Sequence, residues 1–254
     1  MSSLEHARAL VAEAGRVATF TGAGLSAESG IATFRDPTTG YWARYDPAEL
    51  ASPVGFAADP ELVIDWYNHR RRTLAAAEPN AAHRSLAECA DLIHVTQNVD
   101  DLLERAGARR VLHLHGSIGL DRCDRACGYE ERIDLAAPPG LRPCPFCGAP
   151  IRPAVVWFGE TLQEAVWNAS VEAISRADLL LVIGTSGVVY PAAGLIDHAR
   201  STGAAVVVVN AEPIRSPADV VLIGSAVEFV PEILAGRRTG GPGGSPGSDV
   251  GRLD

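Results

Sequence analysis

The segment Gly22-Ala-Gly-Leu-Ser-Ala-Glu-Ser-Gly-Ile-Ala-Thr-Phe-Arg35 decides the fold, and the run Val17–Thr21 before it is short, apolar and partly β-branched. Such a run predicts a buried strand. Gly22 and Gly24 then allow a sharp turn and a close approach of the backbone to a ligand. A helix beginning near Ser26 would direct its unpaired N–H groups at the turn, where they favour a phosphate. A glycine-rich turn without a ligand explains the same residues, because this spacing is not the usual dinucleotide motif.

Further apolar runs alternate along the chain with segments in which apolar residues recur at helical spacing. The runs occupy residues 92–96, 111–116, 179–186 and 205–210, and the helical segments occupy residues 4–14, 60–75 and 81–90. Near-continuous apolar runs are typical of parallel strands that helices cover on both faces. The pattern therefore predicts an α/β protein with a Rossmann-like parallel sheet between two helical layers.

Polar or small residues follow several of the predicted strands. Gln97, Asn98 and Asp100 come after the second strand, residues 184–186 end a later one, and Asn210 ends the last. In open α/β sheets, ligands bind outside the carboxyl ends of the strands. We therefore expect one ligand crevice along this edge of the sheet.

The spacing of the cysteines predicts a metal site. Cys123 and Cys127 have three residues between them, and Cys144 and Cys147 have two. Each pair can form a tight knuckle, and four thiolates suit a tetrahedral zinc ion. Four thiolates leave no open position for water, so we expect one structural zinc ion. The fifth cysteine, Cys89, is predicted to be a small buried residue on a helix.

These signals divide the chain into three folded regions and a tail. We assign residues 1–36, 77–119 and 153–236 to the Rossmann-like domain, residues 37–76 to a lid of loops and helix, residues 120–152 to a zinc-binding module, and residues 237–254 to the tail. The tail is rich in Gly, Ser and Pro and cannot bury enough apolar surface to fold, so it is predicted to be disordered. Residues 213–223 show no clear pattern.

The formal net charge of −9 argues against a general nucleic-acid surface, which needs a basic face. The cysteine-rich insert carries Arg122, Arg125 and Arg132, but acidic neighbours offset them. The sequence shows no secretory leader pattern and no apolar run of membrane-spanning length. We therefore expect a cytoplasmic protein with no nucleic-acid and no membrane partner.

A series of motifs resembles the sirtuins, the NAD-dependent protein-lysine deacylases, over residues 15–232. The motifs are residues 22–26, 30–35, 96–100, 115–117, 155–160, 184–186 and 210–212, together with the paired cysteines. The resemblance implies NAD as cofactor and acylated lysine side chains of proteins as substrates. It also implies that the products are free lysine, nicotinamide and O-acyl-ADP-ribose.

The resemblance implies specific contacts to NAD. The glycine loop would hold the pyrophosphate and Gln97 the reactive ribose, while Asn98 and Asp100 would line the nicotinamide pocket. Across the predicted site, the cofactor-binding residues are Gly22, Ala23, Gly24, Ser26, Phe34, Arg35, Gln97, Asn98, Asp100, Gly184, Thr185, Ser186, Asn210, Glu212 and Ala226. Val156, Phe158 and Gly159 would belong to the edge that binds the substrate peptide and covers the acyl-lysine.

His115 is implied as the catalytic base, assisted by Asn98 and Asp100. A neutral imidazole can remove a ribose hydroxyl proton near physiological pH. His113 and His115 alternate along the predicted strand and would share a face, so a purely structural role stays open for His113.

Tyr67 and Arg70 indicate which acyl group is removed. Residues three apart on a helix lie on one face, where a hydroxyl and a guanidinium together could bind a carboxylate. Tyr67, Arg70 and Thr33 are similar to the sirtuin branch that removes succinyl, malonyl and glutaryl groups. Residues 70–72 are also compatible with a solvated arginine face.

Three other functions remain compatible with these residues. The protein could be mainly a deacetylase, or a mono-ADP-ribosyltransferase in which another nucleophile intercepts the ribose. It could also be a non-catalytic NAD-sensing module, although Asn98, Asp100 and His115 argue against that role.

Overall fold

The computed structural model describes residues 1–32, 46, 50–187, 189–214 and 216–238. The strands are β1 (Val17–Thr21), β2 (Ile93–Thr96), β3 (Val111–His113), β4 (Gly116–Cys123), β5 (Glu130–Arg132), β6 (Ile151–Val155), β7 (Leu179–Ile183), β8 (Ala205–Asn210) and β9 (Val220–Ile223). The α-helices are α1 (Ser3–Glu13), α2 (Pro53–Ala58), α3 (Pro60–Ala76), α4 (Ala81–Glu88), α5 (Leu102–Arg105), α6 (Glu164–Ser175), α7 (Gly194–Ser201) and α8 (Ala226–Arg238).

The main sheet has six parallel strands in the order β3-β2-β1-β7-β8-β9. Every residue of β1 and β7 is buried, which is why both strands read as unbroken apolar runs. The chain runs outward from β1 to β3 and then returns to β7 on the other side of β1. The switch point of the topology, where such sheets bind ligands, therefore lies between the carboxyl ends of β1 and β7.

Helices cover both faces of this sheet, as the sequence predicted. One layer packs α1, α4 and α8 against alternate residues of the central strands, including Leu181 and Val207. The other layer packs α6 and α7 against the residues between them, including Leu180 and Val208. Successive side chains of a strand point to opposite faces, so each central strand contributes to both cores.

A smaller antiparallel sheet, in the order β5-β4-β6, holds the cysteine-rich insert. Helices α2 and α3 pack against it through an apolar cluster that includes Phe56, Tyr67, Ile118 and Trp157. The predicted helix over residues 60–75 is confirmed as α3, whose N-cap is the side chain of Asp59.

A buried ion pair also joins α3 to the smaller sheet. Arg71 is fully buried and pairs with Asp121 on β4, and its Nε donates to the carbonyl oxygen of Ile118 at 3.0 Å. Asp121 also accepts from Arg142 at 2.9 Å. The interpretation of residues 70–72 as a solvated arginine face is therefore wrong for Arg71, although Arg72 is exposed.

Three local predictions differ from the structure. The helix expected near Ser26 is wrong within the described residues, because two short 3₁₀ turns, Ala23–Leu25 and Ala27–Ser29, are followed by Gly30 in the left-handed conformation. Strand β9 lies within residues 213–223, where no pattern was clear. Arg237 belongs to α8 and not to a tail, because it pairs with Asp91.

Some predictions fall on residues outside the described ranges. These are the roles of Thr33, Phe34 and Arg35, most of residues 37–49 of the lid, and residues 239–254 of the tail.

We expect Arg71→Met to lower the free energy of unfolding by about 2 kcal/mol, because it removes a buried, charge-assisted hydrogen bond to Asp121 and leaves that carboxylate paired with Arg142. Denaturation of the zinc-loaded protein in urea measures this change through the transition midpoint. Arg72→Met, on the exposed side of the same helix, is the matched control and should shift stability by no more than about 0.5 kcal/mol. Equal effects of the two substitutions would contradict the assignment.

Candidate active site

The glycine loop meets the loop after β7 backbone to backbone. Gly22 N donates to Ile183 O and Gly24 N donates to Gly184 O, each at 2.9 Å. A Cβ atom on Gly24 would lie 2.6 Å from Gly184 Cα, and Gly184 itself has a φ of +59°. The close approach that the sequence assigned to a ligand is therefore made here to the protein's own backbone. Contacts of this loop to a cofactor stay a prediction.

Ser26 holds Asn98 and Asp100 together at the carboxyl end of β2. Its hydroxyl donates to Asp100 Oδ2 at 3.0 Å and accepts from Asn98 Nδ2 at 3.2 Å. His83 Nε2 lies 3.3 Å from the same hydroxyl, while His83 Nδ1 accepts from Asn80 N. His83 therefore carries its proton on Nε2 and donates to Ser26. Burial lowers the pKa of His83 to about 4, so this imidazole is neutral at physiological pH.

Asp100 is a buried carboxyl group. Burial raises its pKa, and hydrogen bonds from the Leu102 N–H and the Ser26 hydroxyl act in the opposite direction. No motif in the sequence marks His83 as part of the site. The available signal was its position three residues after the N-cap Asn80, where its side chain completes a capping box.

His115 lies in the turn between β3 and β4, not on a strand. Its Nδ1 is 2.9 Å from the carbonyl oxygen of Gln97, which can only accept, so Nδ1 carries the proton and Nε2 is unprotonated. Burial lowers the pKa of His115. The turn places an imidazole with a basic Nε2 atom among the predicted site residues.

His113 has a different environment, so the prediction that the two histidines share a strand face is wrong. Its Nδ1 lies 2.8 Å from Asn98 O and its Nε2 lies 2.7 Å from Glu104 Oε1. Burial lowers the pKa of His113, but the Glu104 carboxylate outweighs burial and leaves the pKa raised. His113 is thus held between two acceptors and supports the backbone of Asn98.

Several other predicted cofactor residues that the structure describes follow strands of the same sheet. Gln97 Nε2 donates to Thr185 Oγ1 at 2.8 Å, which joins the ends of β2 and β7. At the end of β8, Asn210 Nδ2 donates to Glu212 O at 2.7 Å, and Gly224 N donates to Asn210 O at 2.9 Å. Ala226, the first residue of α8, lies two residues after Gly224 and is buried.

Tyr67 and Arg70 come together on α3. The indole Nε1 of Trp157 donates to the Tyr67 hydroxyl oxygen at 2.8 Å. The guanidinium carbon of Arg70 lies 4.8 Å from the ring centroid of Trp66 and 5.9 Å from that of Tyr67. Burial raises the pKa of Tyr67, so its phenol stays protonated.

The segment after β6 contains Val156, Phe158 and Gly159. Val156 N donates to His115 O at 2.9 Å, which places this segment beside the histidine. Phe158 is 48% exposed, and a cavity of about 370 Å³ lies against Val156 and Gly159. β6, which leads into this segment, is an outer strand of the smaller sheet.

The four predicted cysteine ligands form one cluster. Cys123 and Cys147 have their Sγ atoms 3.4 Å apart, Cys127 and Cys144 have theirs 3.5 Å apart, and all four lie within 4.8 Å of one another. Tetrahedral zinc with Zn–S bonds of about 2.3 Å requires sulfur atoms at this spacing. The residue type and geometry therefore fit a four-thiolate zinc site.

The turns of the knuckles explain the unequal cysteine spacing. Gly128 and Gly148, which each follow a cysteine pair, have φ angles of +93° and +73°. In the wider pair, Ala126 also adopts a positive φ of +51°, which accommodates the third intervening residue.

Comparison with known proteins identifies the family. A model of the Sir2 family matches residues 22–191. An NAD-dependent protein deacylase of Pseudomonas aeruginosa is 50% identical over 238 residues, which are 89% of this chain and 95% of that protein. An NAD-dependent protein deacylase of Mycobacterium tuberculosis is 47% identical over 229 residues, 86% of this chain and 96% of that protein.

A solved structure agrees with the sequence comparisons. The crystal structure of a Sir2 homologue–NAD complex is 43% identical, with a TM-score of 0.87 over 92% of this chain and 93% of that one. The chain therefore belongs to the Sir2 family, and the predicted resemblance to sirtuins is confirmed. In the part of the chain that the structure describes, no helix has the length and apolar character that crossing a membrane requires.

We expect Cys147→Ser to lose most of the bound zinc and to lower the thermal unfolding midpoint, because a tetrahedral site needs all four ligands. Inductively coupled plasma mass spectrometry of the purified wild-type protein should show about one zinc ion per molecule. Cys89→Ala is the matched control, since Cys89 is buried away from the cluster, and its zinc content should equal the wild type's. Retention of zinc by Cys147→Ser would refute the ligand set.

Proposed function

We propose that this protein uses NAD to remove acidic acyl groups, namely succinyl, malonyl and glutaryl, from lysine side chains of proteins, and that it also removes acetyl groups. The coarser activity, NAD-dependent protein deacylation, follows from its membership of the Sir2 family and from relatives of that activity at 47–50% identity. The preference for acidic groups is our inference from this chain's own residues.

One observation carries this preference. Tyr67 and Arg70 lie on one face of α3, with the Arg70 guanidinium close to the Tyr67 ring. A protonated phenol and a guanidinium offer donors but no negative charge, which suits a carboxylate. An acetyl group ends in a methyl group, so only an acidic acyl group can use both donors.

The residues of the crevice fit NAD. They lie at the switch point of a parallel sheet and offer both donors and acceptors from the ends of β1, β2, β7 and β8. Among the described residues, the buried hydroxyl oxygen of Ser29, in the turn after the glycine loop, has no hydrogen-bond partner, which suits a group that binds a polar ligand. When bound, NAD supplies an electrophilic ribose carbon from which nicotinamide can depart.

His115 is the base of the proposed reaction. Its Nδ1–H is fixed on Gln97 O, so Nε2 can accept a hydroxyl proton. Asn98 and Asp100 are oriented by Ser26 and would line the nicotinamide pocket beside His115. The zinc ion is structural, because its four thiolate ligands complete a tetrahedron and leave no site for an activated water.

We expect His115→Ala to abolish deacylation while NAD binding survives, because the substitution removes the base and leaves the crevice in place. Peptide deacylation followed by mass spectrometry and NAD titration by calorimetry measure the two effects. His6→Ala, on α1, is the control and should behave as the wild type does. Unchanged turnover in His115→Ala would refute the base.

The pH dependence follows from the same residue. The base must be unprotonated, so kcat/KM should fall as the pH drops through the pKa of His115. Since burial lowers that pKa, the midpoint of the fall should lie below pH 6.5, the ordinary pKa of histidine. A fall centred above pH 7 would contradict this assignment.

We expect Arg70→Met to lower kcat/KM for a succinyl-lysine peptide roughly 10- to 100-fold, because a charged hydrogen bond to the carboxylate is lost. The same peptide carrying acetyl-lysine should change far less. Arg72→Met is the matched control on the exposed side of α3 and should leave the ratio of the two activities at its wild-type value. Equal losses for both acyl groups would argue against the carboxylate contact.

A further inference from the structure

The hydrogen bond between Trp157 and Tyr67 determines which of the two groups is the donor and which is the acceptor. An indole N–H can only donate, so in the 2.8 Å contact the Tyr67 oxygen must be the acceptor. The hydroxyl proton of Tyr67 then cannot point at Trp157 and has to be directed elsewhere. Tyr67 and Trp157 are each only 2% exposed, so water has little access to replace this bond.

The Trp157 ring is held from several sides. The guanidinium carbon of Arg152 lies 3.9 Å from the ring centroid, and the Phe56 ring lies 5.3 Å away at an interplanar angle of 50°. The Trp157 backbone N–H donates to Glu160 Oε2 at 2.9 Å. The indole therefore has a single orientation in which Nε1 meets Tyr67.

Arg152 is itself fixed, although it is a buried cation. It pairs with Glu160 and with Asp124 at 2.9 Å, and its Nη1 donates to Val155 O at 3.3 Å. A cation over an indole face adds an attraction of its own. This series of side-chain contacts, from Asp124 through Arg152 to Trp157, thus connects the cysteine-rich insert with the hydroxyl of Tyr67.

We propose that Trp157 is a positioning residue for acyl specificity: by occupying the Tyr67 oxygen as a donor, it directs the Tyr67 hydroxyl proton toward the carboxylate that Arg70 binds. This inference rests on the proposed preference for acidic acyl groups. Burial keeps the phenol protonated and therefore able to donate. Arg70 lies beside the same ring, so the guanidinium and the directed hydroxyl act on one carboxylate.

Trp157→Phe tests the proposal, because it removes the indole N–H and keeps an aromatic ring. We expect KM for a succinyl-lysine peptide to rise roughly 5- to 10-fold, and the succinyl-to-acetyl ratio of kcat/KM to fall by a similar factor. Phe56→Leu is the control for packing, since it alters the ring contact with Trp157 and not the hydrogen bond. It should affect both acyl groups alike and leave the ratio near the wild-type value.

A double-mutant cycle asks whether Trp157 acts through Tyr67. Tyr67→Phe removes the hydroxyl, so adding Trp157→Phe to it should change the succinyl-to-acetyl ratio by less than about twofold. Full additivity of the two substitutions would overturn the proposal. A Trp157→Phe variant that lowers both activities equally would overturn it as well.

NMR spectroscopy tests the same hydrogen bond without the Trp157→Phe variant and so applies even if that variant does not fold. In ¹⁵N-labelled protein, Tyr67→Phe should shift one indole N–H resonance toward the position of a free indole. The same resonance of the wild type should move on addition of succinyl-lysine peptide and much less with acetyl-lysine peptide. If no indole resonance distinguishes Tyr67→Phe from the wild type, the proposal is wrong.

The effects of Tyr67→Phe, Arg70→Met and Trp157→Phe on the succinyl-to-acetyl ratio distinguish a failure of the Trp157 role from a failure of the proposed acyl preference. If Tyr67→Phe and Arg70→Met lower the succinyl-to-acetyl ratio and Trp157→Phe does not, only the role of Trp157 is overturned. If neither Tyr67→Phe nor Arg70→Met changes the ratio, the preference for acidic acyl groups fails, and the role of Trp157 fails with it.

Discussion

The backbone contact between the glycine loop and Gly184 is the constraint on which the rest of the site depends. A Cβ atom at Gly24 would lie 2.6 Å from Gly184 Cα, and one at Gly22 would lie 2.8 Å from Gly184 O. Only glycine permits this approach, which joins the loops that follow β1 and β7. Ser26 lies two residues after Gly24, so the position of its hydroxyl between Asn98 and Asp100 depends on the same contact.

The interior of the crevice is polar, and hydrogen bonds join several of its buried groups in a series. His83 donates to Ser26, Ser26 donates to Asp100, and Asn98 donates back to Ser26. A buried polar group without a partner is costly, so each bond in this series limits the orientation of the next. His115, in the turn between β3 and β4, is not part of this series, and its Nδ1 is held by the backbone carbonyl oxygen of Gln97.

Local patterns in the sequence were sufficient for the sheet, the long helix α3 and the cysteine cluster. The apolar runs predicted β1, β2, β7 and β8 because a strand buried on both faces has to be apolar along its length. Cys123, Cys127, Cys144 and Cys147 were identified by spacing alone, since a knuckle is closed by residues near one another in the chain. Strand β9 was missed because its apolar run, Val220–Ile223, is only four residues long and follows a segment of mixed composition, residues 213–219.

Contacts between residues distant in the sequence were decided only by the tertiary structure. The sequence placed His115 on a strand, whereas the change from one sheet to the other puts it in a turn. The burial of Arg71 depends on Asp121, 50 residues away, and the orientation of Tyr67 depends on Trp157, 90 residues away. The sequence by itself therefore determined the sheet and the cysteine ligands, which follow from local burial and spacing, and the family, which follows from the resemblance of its motifs. Charge pairing and hydrogen-bond direction needed the folded chain, because their partners meet only after the two sheets and α3 have packed.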